Sequence, residues 1–298
     1  MVRGLSATDE VVDLVSRLIQ FDTSNTGEPE TTRGEADCAR WVAAQLEDVG
    51  YETEYIESGM PGRGNVFARL PGRDSTRGAL LIHVHLDVVP AEAEDWSVHP
   101  FSGAVRDGYI WGRGAVDMKD MAGMVLALAR QFKREGTVPP RDLVFAFLAD
   151  EEAGGKWGSQ WLVDNRPDLF EGITEAIGEV GGFSLTVDRP DGSVRRLYLV
   201  ETAEKGLSWM RLTCDAPAGH GSFLAAENAV TEIAGAVARI GAHKFPLVMT
   251  DAVSEFLAAL SEETGLDFSP ETPDLESALF KIGNLARIIG ATLRDTAN

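Results

Sequence analysis

Leu80-Leu81-Ile82-His83-Val84-His85-Leu86-Asp87 begins as an apolar run and ends polar. This is the pattern of a buried strand whose last residues are unfavourable unless a ligand or partner pairs them. Outward from it, apolar runs recur at Asn65 to Leu70, Ala79 to Val89 and Asp142 to Ala149. Between and before them, residues Asp9 to Phe21, Arg33 to Val49 and Met118 to Arg134 carry apolar side chains at helical spacing, the second stretch stopping at Gly50. Strands alternating with helices predict an α/β domain with a mostly parallel sheet. In such a domain functional residues gather in the loops beyond the carboxyl ends of the strands.

After the strand-like Ile173 to Ile177 the texture changes. Asp188 to Ser193 is a polar, turn-rich link, and Leu197 to Val200 and Leu207 to Thr213 have the pattern of strands. Glu227 to Ile240 and Ala252 to Leu260 have that of helices, and Gly265 to Ser277 is a polar, proline-bearing loop. These features predict a boundary near Lys205, with a first domain over 1–205 and a smaller α+β domain over 206–298.

The 298 residues include 44% hydrophobic side chains, enough for a substantial core. Acidic residues outnumber basic ones 47 to 27, a net charge of -20, which repels nucleic acid and anionic membrane and excludes both as expected partners. Cys38 and Cys214 form no Cys-x-x-Cys pair, so neither a disulfide framework nor a thiolate zinc site is indicated. The first ten residues lack an apolar signal region, and a cytoplasmic protein is expected.

Four clusters offer chemistry. His85 and Asp87, two apart on a strand, point to one face, so one imidazole nitrogen can meet a metal while the carboxylate orients the other. A satisfied buried pair with His83 is the alternative. Gly112-Arg113-Gly114-Ala115-Val116-Asp117 brings Asp117 to the start of a helix, where it is a ligand or an N-cap. Asp150-Glu151-Glu152, followed by Gly154-Gly155, ends a buried strand. On an extended backbone Glu152 could bind a metal while Glu151 takes a proton from water, and a solvated acidic turn is the alternative. Glu179, followed by Gly181-Gly182, repeats the order of strand end, acid and glycine. Together these residues supply the nitrogen and oxygen donors that zinc or a similar divalent ion takes.

Taken in order, His85-Leu86-Asp87-Val88-Val89-Pro90, His99-Pro100-Phe101-Ser102-Gly103, Tyr109-Ile110-Trp111-Gly112-Arg113-Gly114 through Asp117-Met118-Lys119, and Asp150-Glu151-Glu152 resemble the signatures of the M20 metallopeptidase family of aminoacylases, deacylases and carboxypeptidases. The resemblance implies a zinc-hydrolase catalytic domain with a lid and dimerisation domain. It also implies two divalent ions, zinc by default with cobalt and manganese admitted by the same donors. His85 and Glu179 would bind different ions, Asp117 would bridge them, Glu152 would bind one, Glu151 would be the general base and Asp87 would orient His85. A water bridging the ions, activated by Glu151, would cleave the amide of an N-acyl amino acid or small peptide.

Gly219-His220-Gly221-Ser222, followed by Glu227-Asn228-Ala229, resembles the family's lid motif. There the histidine reaches across a homodimer to stabilise an oxyanion. Family members continue from the lid back to the catalytic domain and supply a final histidine ligand. The histidines here are His83, His85, His99, His220 and His243, and none lies after the lid. The expectation is therefore a truncated chain, with a catalytically impaired homologue that keeps the fold and binds metal or a partner as the alternative function. Of the five, His99 reads as part of a structural loop. Arg287 and Arg294 are candidates for a substrate carboxylate.

Overall fold

The computed structural model describes residues 5–179, 184–202, 205–206, 208, 210–222, 228–269, 272 and 275–279. Gly181, Gly182, Glu227, Arg287 and Arg294 lie outside the described residues. The chain divides into two compact units, Met1–Glu179 and Val180–Asn298.

In the first unit, α1 (Ala7–Ile19) and α2 (Ala36–Glu47) precede β1 (Thr53–Glu57), β2 (Gly64–Leu70) and β3 (Ala79–His85). A two-stranded ribbon of β4 (Ala104–Arg106) and β5 (Tyr109–Trp111) follows, then α3 (Lys119–Glu135), β6 (Leu143–Leu148), α4 (Ser159–Asn165) and β7 (Ile173–Ile177). The central sheet has the order β1-β2-β6-β3-β7. β3 is parallel to both β6 and β7, while β2 is antiparallel to both β1 and β6. Four of the five strands therefore share one direction, and the expected α/β class with a mainly parallel sheet is what the chain forms.

Alternation along the strands builds two cores. Val66, Ala68, Val84, Phe145 and Phe147 are buried with Leu14, Leu18, Val42, Leu46 and Leu126 from the three long helices. Phe67, Leu81, Val144, Ala146 and Leu148 are buried with Leu162 of α4 on the other face. α1 starts where the Asp9 carboxylate accepts from the Ser6 N–H at 2.8 Å and from its hydroxyl at 2.6 Å, closing the first turn. α3 ends at Gly136, whose φ of 65° is the left-handed conformation of a helix C-cap.

α1 and α3 approach closely because Gly123 has no side chain. A Cβ there would lie 2.3 Å from Val15 Cγ2 and 3.2 Å from the Val15 amide nitrogen. Gly123→Ala is expected to lower the thermal midpoint, because overpacking costs about 1–3 kcal/mol. The gain in helix propensity, about 1 kcal/mol, offsets only part of that. A melting curve checks it, and an unchanged or higher midpoint would show that the helix pair gives way freely.

The second unit contains the hairpin β8 (Ser184–Asp188) and β9 (Val194–Tyr198), then α5 (Ala229–Ala242), α6 (Asp251–Thr264) and α7 (Leu275–Leu279). Leu185 and Leu197 of the hairpin pack on a core of Val253, Leu257, Leu260, Phe268, Leu275 and Leu279. Two sequence expectations differ here. The polar stretch Asp188 to Ser193 is the hairpin's turn, closed by Arg189 N–H to Ser193 O at 2.8 Å. The hairpin's apolar face also ties it to α6, so the compact units part at Glu179, ahead of the boundary expected near Lys205. Among the described residues of 207–213 none is in a strand. No helix among the described residues is long and apolar enough to cross a membrane.

Candidate metal centre

Three neighbouring parallel strands deliver the acids and the imidazole to one edge of the sheet. His85 ends β3 and pairs in register with Leu148 of β6, while Ile82 pairs with Ile177 of β7. The loops leaving those strands therefore carry Asp87, Asp150 to Glu152, and Glu179 to one place. Asp117 joins them from the turn ahead of α3.

The His85 ring is buried, with each nitrogen differently occupied. Nδ1 lies 2.9 Å from the Asp87 carbonyl oxygen and 3.4 Å from its Oδ1. Nε2 lies 3.0 Å from Asp117 Oδ1 and 3.7 Å from both Glu151 Oε2 and Glu179 Oε2. A proton on Nδ1, held by Asp87, leaves the Nε2 lone pair facing the acids, which is the tautomer a cation requires.

Asp87 does more than the sequence suggested. Its Oδ1 accepts from the Glu151 N–H and its Oδ2 from the Glu152 N–H, both at 3.0 Å, so it also sets the turn that carries the two glutamates. That turn begins at Asp150 in the left-handed region, φ 67°. The Asp150 Oδ2 accepts from the Trp157 N–H at 2.7 Å and its carbonyl from the Gly155 N–H at 2.6 Å, bonds that hold an otherwise unfavourable backbone conformation.

Donor atoms of His85, Asp117 and Glu179 lie within 4.8 Å of one another, the spacing of a group able to hold a metal ion. The electrostatics fit the same occupant. Burial lowers the His85 pKa, but pairing with Asp87 and Glu179 and the field of the acids outweigh it and push the value up to about 11. Burial and then the Glu179 charge raise the Asp117 pKa. Burial raises that of Glu151, with Glu179, Asp87 and Asp117 adding to it. Glu152 is pushed up to about 7 by burial and then by Asp117. The His85 contact holds Glu179 below the usual carboxylate range. Asp117, Glu151 and Glu179 all face the His85 imidazole, and the His83 charge also acts on Glu179. The carboxylates outnumber the imidazoles, and a divalent ion would supply the positive charge that such a cluster favours.

The sequence-predicted residues thus divide. His85, Asp117, Glu151 and Glu179 converge, with Asp87 behind the imidazole. Glu152 is outside the group of three donors, with its Oε1 accepting from the Val89 N–H at 3.2 Å. His220 is exposed in the second unit, its Nδ1 2.8 Å from the Ser222 hydroxyl. His99 accepts from the Phe101 N–H at 3.2 Å within its own loop, and His243 stacks edge-on against Phe245.

A buried ionic network behind the site escaped sequence reasoning. Arg63, 2% exposed, donates to Glu35 Oε1 at 2.7 Å and to Asn25 Oδ1 at 3.2 Å, and forms an ion pair with Asp150 Oδ1 at 3.0 Å. Asn25 Nδ2 donates in turn to Asp87 Oδ2 at 2.8 Å and Asp150 Oδ1 at 3.0 Å. Burial and then the Asp87 charge push the Glu35 pKa up to about 7, against the pull of Arg63. The only trace in the sequence is Asn25 in a Thr-Ser-Asn-Thr-Gly turn, which reads as ordinary loop chemistry.

The chain is similar to known hydrolases in sequence and in fold. Aminoacylase-1 of Sus scrofa is 32% identical over 215 residues, which are 72% of this chain and 50% of that protein. Succinyl-diaminopimelate desuccinylase of Delftia acidovorans is 29% identical over 236 residues, 78% of this chain and 58% of that one. This chain spans about half the length of the curated relatives it matches. In fold it is similar to the di-peptidase Dug1p from Saccharomyces cerevisiae, with a TM-score of 0.54 at 18% identity over 97% of this chain and 60% of that one. Human carnosine dipeptidase 1 gives a TM-score of 0.50 at 22% identity over 57% and 38%. Residues 81–280 match the peptidase family M20/M25/M40, and with two thirds of its length in that match the chain belongs to this family.

Proposed function

We propose that the protein is a metal-dependent hydrolase of the amide bond of an N-acyl amino acid or small peptide. The observation that carries this reading is Glu151, whose Oε2 stands 3.7 Å from the same imidazole nitrogen that Asp117 and Glu179 face. A base beside a cation-binding group is the arrangement that hydrolysis by activated water needs.

In this reading His85, Asp117, Glu179 and Glu152 would hold the divalent metal, with zinc the default. Bound there, it would lower the pKa of water and polarise a carbonyl oxygen. Asp87 keeps the His85 proton on Nδ1 and fixes the turn bearing Glu151. Glu151 removes a proton from the attacking water and delivers it to the amine nitrogen as the carbon–nitrogen bond breaks. Its raised pKa brings it nearer neutral pH, where a group that must both take and give a proton works best. His220, in a lid that pairs two copies of the chain, donates to the carbonyl oxygen as it gains charge. The relatives' names support the substrate class, since an aminoacylase and a desuccinylase both act on acylated amines. The cytoplasm is the proposed compartment.

The test loads wild type and Glu152→Ala with zinc, counts ions per chain, and follows hydrolysis of a panel of N-acetyl amino acids and dipeptides. Two ions in wild type, fewer in the variant, and amide cleavage by wild type are expected. One ion or none, with no cleavage across the panel, would replace this reading with that of a homologue that keeps the fold without the chemistry.

A further inference from the structure

The Arg63 network is costly. Glu35, Arg63, Asn25, Asp87 and Asp150 are each at most 4% exposed, and burying ions is repaid only by close pairing. Within the network Glu35 Oε2 and Arg63 Nε have no partner among the described residues. Apolar side chains of like volume would make an equally stable core, so stability alone does not explain the arrangement. Its connections do. From Arg63 and Asn25 it leads to Asp87 and Asp150, the two carboxylates that fix the turn carrying Glu151 and Glu152.

We infer that Asn25 and Arg63 are positioning residues of the metal centre: the Asn25 amide clamps Asp87 to Asp150, and the Arg63 guanidinium holds Asn25 and neutralises the acids behind it. Asn25 is the one described side chain that donates to both carboxylates, at 2.8 and 3.0 Å. Its own carbonyl oxygen is fixed by Arg63 at 3.2 Å, by the Gly27 N–H at 3.0 Å and by the Thr32 hydroxyl at 3.3 Å. The amide therefore cannot turn over without losing all five contacts. With both oxygens of Asp87 engaged, one on the Glu151 N–H and the other on Asn25 and the Glu152 N–H, the carboxylate has one orientation, and the residue it fixes meets the imidazole through its carbonyl oxygen at 2.9 Å and its Oδ1 at 3.4 Å. Arg63 is suited to this where Lys is not, because its planar fork reaches Glu35 with one nitrogen and Asp150 and Asn25 with the other.

The inference rests on the proposed metal centre, but its test has an arm that needs no metal. Asn25→Ala is expected to weaken cobalt binding about 10- to 100-fold, the usual consequence of losing a group that orients a ligand. In the metal-free protein the Glu151 and Glu152 amide protons should exchange about tenfold faster or more, since their acceptor loses its clamp. Leu46→Ala, which removes a buried side chain from α2, is the control for lost stability alone. Acceleration at 151 and 152 must exceed the acceleration it causes. In an Asp87→Asn background Asn25→Ala should add little, because residues acting through one group are not additive. Should Asn25→Ala fail to fold, Arg63→Lys is expected to show the same two changes in milder form. Exchange at both amides matching the Leu46→Ala control, or full additivity with Asp87→Asn, would overturn the inference. A wild type that binds no cobalt would instead sink the proposed function, and the exchange measurement would still decide the clamp.

Discussion

Asp87→Ala is expected to cost the metal-free protein about 3–5 kcal/mol of stability, the loss that follows when one partner of a buried charged network is removed. The carboxylate is fully buried, accepts from Asn25 and from the Glu151 and Glu152 N–H groups, and lies 3.4 Å from His85 Nδ1. Alanine takes the acceptor from both amides and one of the two acceptors from Asn25, while His85 Nδ1 keeps the main-chain carbonyl. Asp87→Asn keeps the shape and one acceptor oxygen, and should lose less. Burial alone would raise the Asp87 pKa, but its bonds with His85, Asn25 and the Glu152 N–H hold it below the usual aspartate range. A depressed acid contributes stability that is present above its unfolded pKa of about 3.9 and is lost as the pH falls through its folded value. The gap between wild type and Asp87→Ala should therefore be full at neutral pH and narrow in acid. Chemical denaturation of the metal-free proteins at several pH values measures it. An Asp87→Ala midpoint equal to that of wild type at neutral pH would mean that the donors find other partners, and Asp87 would lose its place as the hub of the site.

That hub shows where sequence reading succeeds and where it stops. The polar end of an apolar run at His85 and Asp87, and the acids ending β6 and β7, were legible because strand burial and its interruption are local patterns. Their convergence followed from the parallel sheet alone. The second function of Asp87 was not legible, because its acceptors face the turn at 151–152, which is remote in sequence. Arg63 was invisible for a related reason: a charged residue between glycines reads as solvated, and only the fold puts Glu35 and Asp150 around it. β1 was missed because Thr53-Glu54-Tyr55-Ile56-Glu57 is a half-exposed edge strand with little apolar content. The hairpin turn at 189–193 passed for a linker because turn chemistry does not say whether the strands beside it pair.

With wild-type cleavage in hand, Glu151→Gln is expected to lower kcat by about 10²- to 10⁴-fold, the contribution of a positioned acid–base group, while leaving bound metal and KM near wild type. Geometry separates Glu151 from the residues around it. Its carboxylate makes no hydrogen bond to the backbone among the described residues, whereas Glu152 is tied to the Val89 N–H and Asp87 to two amides. It is also absent from the group of three donors spaced for a metal. Glutamine keeps its size and its amide contact to Asp87 through the main chain, so the turn and its neighbours stay in place and only the proton carrier is lost. Glu179→Gln makes the contrast, since it removes charge from the donor group and should lower metal content first and kcat through it. Metal content and kinetics measured together on both variants decide the assignment. If Glu151→Gln loses metal as readily as Glu179→Gln does, Glu151 is a ligand and the proton must be carried by another group. If it keeps both metal and turnover, the carboxylate facing His85 is electrostatic scenery for the ion, and the base has to be sought among the acids it stands beside.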